Sequence, residues 1–243
     1  MMAVPTILPP LPGARDARDP KRAIKRGPSR LPREQVAAAQ RERVYDGLVR
    51  MVAENGYANA SVSSICRASG VTRPTFYEHF ESKEGAFLAA CRHGNGVMFT
   101  LVRQAYTAEA TWAKAICSSL QVLLSLLASV PAFATAAVVE IEAMGPVGRQ
   151  ARAEQLARFL PFFQPAPPTP PGVDRRELIQ SVIGGVHATL FRFIASGRTA
   201  ELPNLRPTLV YSVMAPFAGP EAALSAGREP IAEPLLVAPC THT

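Results

Sequence analysis

The apolar positions of this chain are spaced for helices. Val44, Leu48, Met51 and Val52 stand at i, i+4, i+7 and i+8, the stripe of an amphipathic helix that Pro32 can open and Asn55-Gly56 stops. A shorter stripe, Val62, Ile65 and Cys66, follows Ser61, whose hydroxyl can cap the free amides of a first turn. Ser69-Gly70 ends that helix, since glycine takes the left-handed conformation without a Cβ penalty, and Val71 can pack into the elbow. Thr72 then caps another short helix. Pro74 is tolerated there because first-turn amides have no intrahelical partner, and Phe76 and Phe80 face inward. The first helix closes a three-helix unit by packing on Ile65, Phe76 and Phe80, with Tyr57 in the same core.

Beyond Ser82 the pattern predicts a larger helical body. Ser82 caps a long helix with Phe87, Cys91, Met98 and Val102 on one face and a soft point at Gly94-Asn95-Gly96. A second helix spans roughly Thr111 to Val130 with Ile116, Leu120, Leu123, Leu124 and Leu127 along its apolar side. Pro131 opens a third, to Met144, with Phe133, Ala137, Glu140 and Met144 on one side; Gly145-Pro146 breaks it. Val147 to Phe163 reads as a helix with an Arg-rich outer face, and the proline run Gln164 to Gly172 as a loop. Asp174 to Ser196 carries Ile179, Val182, Ile183, Val186, Leu190, Phe193 and Ile194, a stripe wide enough for its own core and a partner. There, Gly184-Gly185 admits close approach of another helix. Leu205 to Phe217 completes an antiparallel pair. After Ala218 the chain is interrupted by Gly and Pro and has no period.

The expected fold class is all-α: an N-terminal three-helix helix-turn-helix domain plus a C-terminal helical ligand-binding and dimerisation domain. The expected boundaries are a disordered basic arm at 1–31, the helix-turn-helix domain at 32–81, the helical domain at 82–217 and an irregular tail at 218–243. A helix-turn-helix lays its second helix in the major groove of DNA and uses first-turn side chains on base edges.

The residues Gly56-Tyr57, Ser61-Val62, Ile65, Gly70-Val71-Thr72, Thr75-Phe76-Tyr77, His79-Phe80 and Lys83-Glu84 agree in type and spacing with a known pattern. From Arg41 to Phe87 the chain resembles the DNA-binding domain of TetR-type transcriptional regulators. It departs from them at Gly85, where a helix former is commoner, and at Ala60, where a second hydroxyl is common. The resemblance implies that Arg73, Pro74 and Thr75 approach base edges, and Arg73 has the chemistry to grip guanine O6 and N7. It further implies that Ser61, Thr72, Tyr77, His79 and Lys83 belong to the DNA-contacting set, though His79 reads equally well as a capping or packing residue. A double-stranded palindromic operator and a homodimer through helices 174–196 and 205–217 are implied by the same resemblance.

Charge changes this picture in one respect. The formal net charge is +7, yet residues 34–83 hold 6 Lys/Arg and 6 Asp/Glu, while residues 1–33 hold 8 and 2. The reading head is therefore electrically neutral, and the long-range attraction to phosphate is expected from the arm. The arm reads either as a DNA-reaching segment or as a solubilising tail.

Other chemistry is poorly supported. The apolar run Ala115 to Val139 is broken by Ser118-Ser119, Gln121 and Pro131, so it reads as two buried helices and not as one membrane span. MMAVPTILPPLPG lacks a basic start and is broken by prolines, unlike an export signal, which makes a cytoplasmic location the expectation. Cys66, Cys91, Cys117 and Cys240 are scattered, as free thiols are. Gly94-Asn95-Gly96 lacks the third glycine of a dinucleotide fingerprint, Glu140 and Glu142 point to different faces, and His79, His93, His187 and His242 have no ligand spacing. No catalytic residue, cofactor or metal is expected. The helical body is expected to hold a mostly apolar pocket for a small effector, lined by Met98, Trp112, Phe133, Glu140, Met144, His187 and Phe191. The competing reading is a helical small-molecule binder or enzyme with a vestigial DNA-binding head.

Overall fold

A computed structural model describes residues 9–16 and 32–229, and these form ten α-helices with no strand among the described residues. The head comprises α1 (Arg33–Asn55), α2 (Val62–Ser69) and α3 (Arg73–His79). Its turn is built as the residue types require. Ser61 Oγ accepts from the Ser64 amide at 3.1 Å while Ser64 Oγ accepts from the Ser61 amide at 2.9 Å, a reciprocal cap. Gly70, at φ +63°, supplies the left-handed residue, and Thr72 Oγ1 caps α3 at the Thr75 amide. Helix α1 touches α2 backbone to backbone: a Cβ on Gly47 would lie 2.7 Å from the Ser69 amide nitrogen. Val44, Leu48, Ile65 and Phe76 are fully buried between them.

The body begins with α4 (Lys83–Thr107), capped by Ser82 and packed along α5 (Trp112–Ser129). Helix α4 is continuous through Gly94, where the sequence suggests a soft point. The reason is close packing: the buried Phe133 ring lies where a Gly94 Cβ would project, 2.2 Å from it. The segment after α5, expected as one regular helix to Met144, changes pitch twice. It starts as α6 (Pro131–Ala134), widens to a π-turn at Thr135–Val139 and tightens to a 3₁₀ turn at Glu140–Met144. The extra residue of the π-turn rotates the residues after it about the helix axis, so Ile141 is buried and Glu140 leaves the face it would share with Phe133 and Ala137.

Helix α7 (Pro146–Ala157) runs into a 3₁₀ turn at Leu160–Phe163, and the proline loop leads to α8 (Arg175–Ala195) and α9 (Arg206–Ala218). Two regions differ from the sequence expectation. The start of the 218–243 tail is helical: α10 (Pro220–Arg228) buries Ala223 and Ala226 on α9, and side chains this short give little apolar signal. Within the 1–31 arm, residues 11–16 are docked on α1. Leu11 is buried, the Gly13 amide donates to Asp46 Oδ1 at 2.8 Å, Arg50 Nε donates to the Gly13 carbonyl at 2.9 Å, and Arg15 pairs with Glu42. The remainder of the arm, the rest of the tail and Cys240 lie outside the described residues.

Candidate nucleic-acid interface and internal cavity

The outer surface of the head is made by α3 and the start of α2. Arg73, Pro74, Tyr77 and Glu78 are exposed along α3, as are Thr72 at its cap and Ser61 at the cap of α2. Arg73 Nη1 donates to Ser63 Oγ at 3.2 Å, which leaves the rest of its guanidinium fork for other acceptors. Thr75 is half-buried, its hydroxyl 2.9 Å from that of Thr72. Ser63, the partner that steers Arg73, and the exposed Arg67 on α2 were not singled out by sequence reasoning.

Two of the residues assigned to the outer surface point elsewhere. His79 Nε2 lies 2.9 Å from Gln40 Oε1, tying the end of α3 to α1. Burial, with help from Arg41, pushes its pKa down, so the ring is held neutral. Lys83 Nζ donates to the Tyr57 carbonyl at 3.0 Å and sits 4.3 Å above the Tyr57 ring. Its long stem reaches inward to the head's own backbone, a choice that residue type alone does not reveal.

The Tyr57 peptide is gripped from the body as well. Glu140 Oε2 accepts from the Tyr57 amide at 2.7 Å, a contact between residues 83 apart, and Tyr57 stacks on Phe87 of α4 at 5.0 Å. Tyr57 is therefore held from both sides, by the 3₁₀ turn after α6 on its amide and the α4 start on its carbonyl, in a junction where α1 also packs on α4 and α6.

Behind this junction is a cavity of about 370 Å³ enclosed by α4, α5, the π and 3₁₀ turns, α7 and α8. Its interior is apolar, with Leu120, Leu123, Leu127, Phe162 and Val213. Met98 and His187 stand in its wall; burial, reinforced by Arg152, pushes the His187 pKa down and keeps the ring neutral. Trp112, Phe133, Glu140, Met144 and Phe191, expected at such a wall, do not line it. Trp112 donates through Nε1 to the Phe162 carbonyl at 2.9 Å, Phe133 is seated on α4, and Glu140 caps Tyr57. Met144 and Phe191 pack partly buried at the edge of the core. The Arg-rich face that the sequence turns outward in 147–163 contributes Arg152 and Arg158 to the wall instead, together with Gln155, opposite Arg92 and Asn95 of α4.

Comparison with known proteins agrees with this geometry. Residues 44–90 match the family model described as bacterial regulatory proteins, tetR family. A stretch of 58 residues is 33% identical to YerO, an uncharacterized HTH-type transcriptional regulator of Bacillus subtilis, covering 24% of this chain and 20% of that protein. A stretch of 55 residues is 38% identical to an HTH-type transcriptional repressor of Mycobacterium tuberculosis, covering 23% of this chain and 29% of that protein. The aligned segment thus spans less than a third of either relative. In three dimensions the chain superposes on the transcriptional regulator FadR of Bacillus subtilis, crystallised in complex with stearoyl-CoA. The TM-score is 0.62 at 21% identity, over 73% of this chain and 97% of that one. The reading head is thus matched in sequence to the tetR family over residues 44–90, and the all-helical body is matched in fold.

Proposed function

We propose that the protein is a dimeric, cytoplasmic repressor that binds a palindromic operator through α3 and is released when an apolar effector fills the cavity. Regulators of this family bind DNA and ligands and generally act as homodimers. The observation that carries the regulatory part is the Glu140–Tyr57 contact, because the turns that bear Glu140 also furnish Ala137, Val138 and Ile141 to the cavity wall. An effector that displaces this wall carries Glu140 with it and alters the seat of the head. It shifts DNA affinity only as far as it favours the displaced state. The stearoyl-CoA complex of FadR supports an apolar effector for this fold.

On the DNA side, Arg73, Pro74 and Thr75 read base edges, and Ser61, Thr72 and Tyr77 contact the backbone around them. His79 and Lys83 position α3 and the head. Arg73→Ala is expected to relax specificity at one operator position by about 1–3 kcal/mol while leaving binding to random DNA nearly unchanged. Selection of bound sequences from a random pool, followed by titration of the winners, measures this. Equal loss on both DNAs would assign Arg73 to phosphate.

The dimer reading draws on α8. Helices α5 and α8 are both long and apolar enough to cross a membrane, but 61% of the apolar window is buried inside the protein in α5 and only 17% in α8. An apolar helix left so open needs a cover, and a second copy supplies it with the twofold symmetry of a palindrome.

Glu140→Ala is expected to uncouple the two halves. The variant should still bind operator, within a few-fold of wild type, but the effector should no longer release it. Gel shifts with and without effector check this, and full release by the variant would show that coupling runs elsewhere.

A further inference from the structure

We infer that the effector is an amphiphile whose anionic head sits between α4 and α7 on Gln155, Arg158 and Arg92, with its apolar part in the cavity. This rests on the reading of the cavity as the effector site and adds the chemistry of its rim. Three observations support it.

The first is an unused donor. Gln155 Oε1 accepts from Arg158 Nη1 at 3.3 Å, which fixes the orientation of the amide. Its Nε2 is then buried at the cavity wall without a hydrogen-bond partner. Buried donors are ordinarily satisfied, so this one calls for an acceptor from the ligand.

The second is uncompensated positive charge. Arg158 is half-buried, its Cζ stacks 4.0 Å above the Phe99 ring, and it makes no ion pair among the described residues. Burial and the neighbouring Arg103 both work against its charged form. Arg92 lines the cavity from α4 and is exposed, which places it at the mouth; it too has no ion pair among the described residues. An anion arriving beside Arg158 offsets both the cost of its burial and the repulsion from Arg103.

The third is that the acidic groups nearby pair with neither Arg158 nor Arg92 among the described residues. Glu154, the acid among the lining residues, accepts from Gln150 Nε2 at 2.8 Å, and Glu142 is paired with Arg152 on the α8 side of the cavity. A carboxylate and a phosphate present the same chemistry to this seat.

Isothermal titration of the full chain with decanoate, decyl phosphate and methyl decanoate separates the possibilities. Wild type should bind at least one of the two anions about tenfold or more tightly than the ester, and the preferred anion identifies the head. Arg158→Gln and Gln155→Leu should each remove most of that preference while leaving the ester unchanged. Thermal melts confirm that both variants fold, and Gln155→Leu, which keeps every charge, guards against a fold defect in the arginine variant. Equal binding of acid, phosphate and ester, or equal loss of all three in both variants, would overturn the anionic seat and leave the apolar effector reading intact. Binding of none would remove both.

Discussion

Ala188→Arg is expected to give a folded monomer that binds operator DNA about a hundredfold to ten-thousandfold more weakly than wild type, the range in which linked binding exceeds single-site binding. Ala188 is exposed on α8, and a Cβ placed on Gly184 or Gly185 of the same helix would meet nothing within 4 Å. On α9, the other member of the antiparallel pair, Tyr211 is exposed. Small residues let a partner helix approach closely, so a long charged side chain at the centre of this face acts by steric exclusion and by desolvation. Because Ala188 has no role in the monomer's own core, circular dichroism and thermal melting should change little. Sedimentation gives the mass and a gel shift the affinity. A variant that remains a dimer of undiminished affinity would move the association surface away from α8.

The largest stability effect is expected at the seat of Phe133. This ring is fully buried and fills the space that the absent side chain of Gly94 leaves on α4. Phe133→Ala should cost about 3–5 kcal/mol, the loss typical of truncating a buried aromatic. Gly94→Ala approaches the same contact from the other side: a Cβ 2.2 Å from the ring forces it to move, at a cost of about 1–3 kcal/mol. The double variant should cost less than the sum, because the alanine methyl then enters space the ring has vacated. Urea unfolding of the four proteins measures the coupling. Strictly additive losses would mean that the two residues act through separate contacts.

The head was legible in the sequence because its constraints are local. Ser61, Gly70 and Thr72 each answer a demand of the backbone a few residues away, and Phe76 and Phe80 face a core whose other walls are near in sequence. The body was legible as helices, less so as a site. Periodicity gives the apolar face of a helix but does not say which part of that face meets a neighbour and which meets empty space. Trp112 and Phe133 therefore looked as much like a cavity wall as Met98 did. Glu140 was placed on the apolar side by counting in a regular helix, and the π-turn at Thr135–Val139 is what rotates it to the head. Arg158 was read as part of an Arg-rich outer face, and Gln155 was not singled out. The signal that could have found them is the aromatic run Phe159, Phe162 and Phe163 beside them, which draws that stretch against α4.

The docked segment before α1 bears on where this molecule can be divided. A fragment cut at the first helix, at residue 32, would contain the whole sequence motif of the reading head. It would also take from the buried Asp46 the Gly13 amide and the Arg15 guanidinium, and uncover Val49 where Gly13 now lies against it. Gly13 packs in addition near Ala132 of the body. The contacts that complete the head therefore start upstream of the recognisable motif, and an isolated head keeps them only if it includes residues 11–15 as well as the first helix.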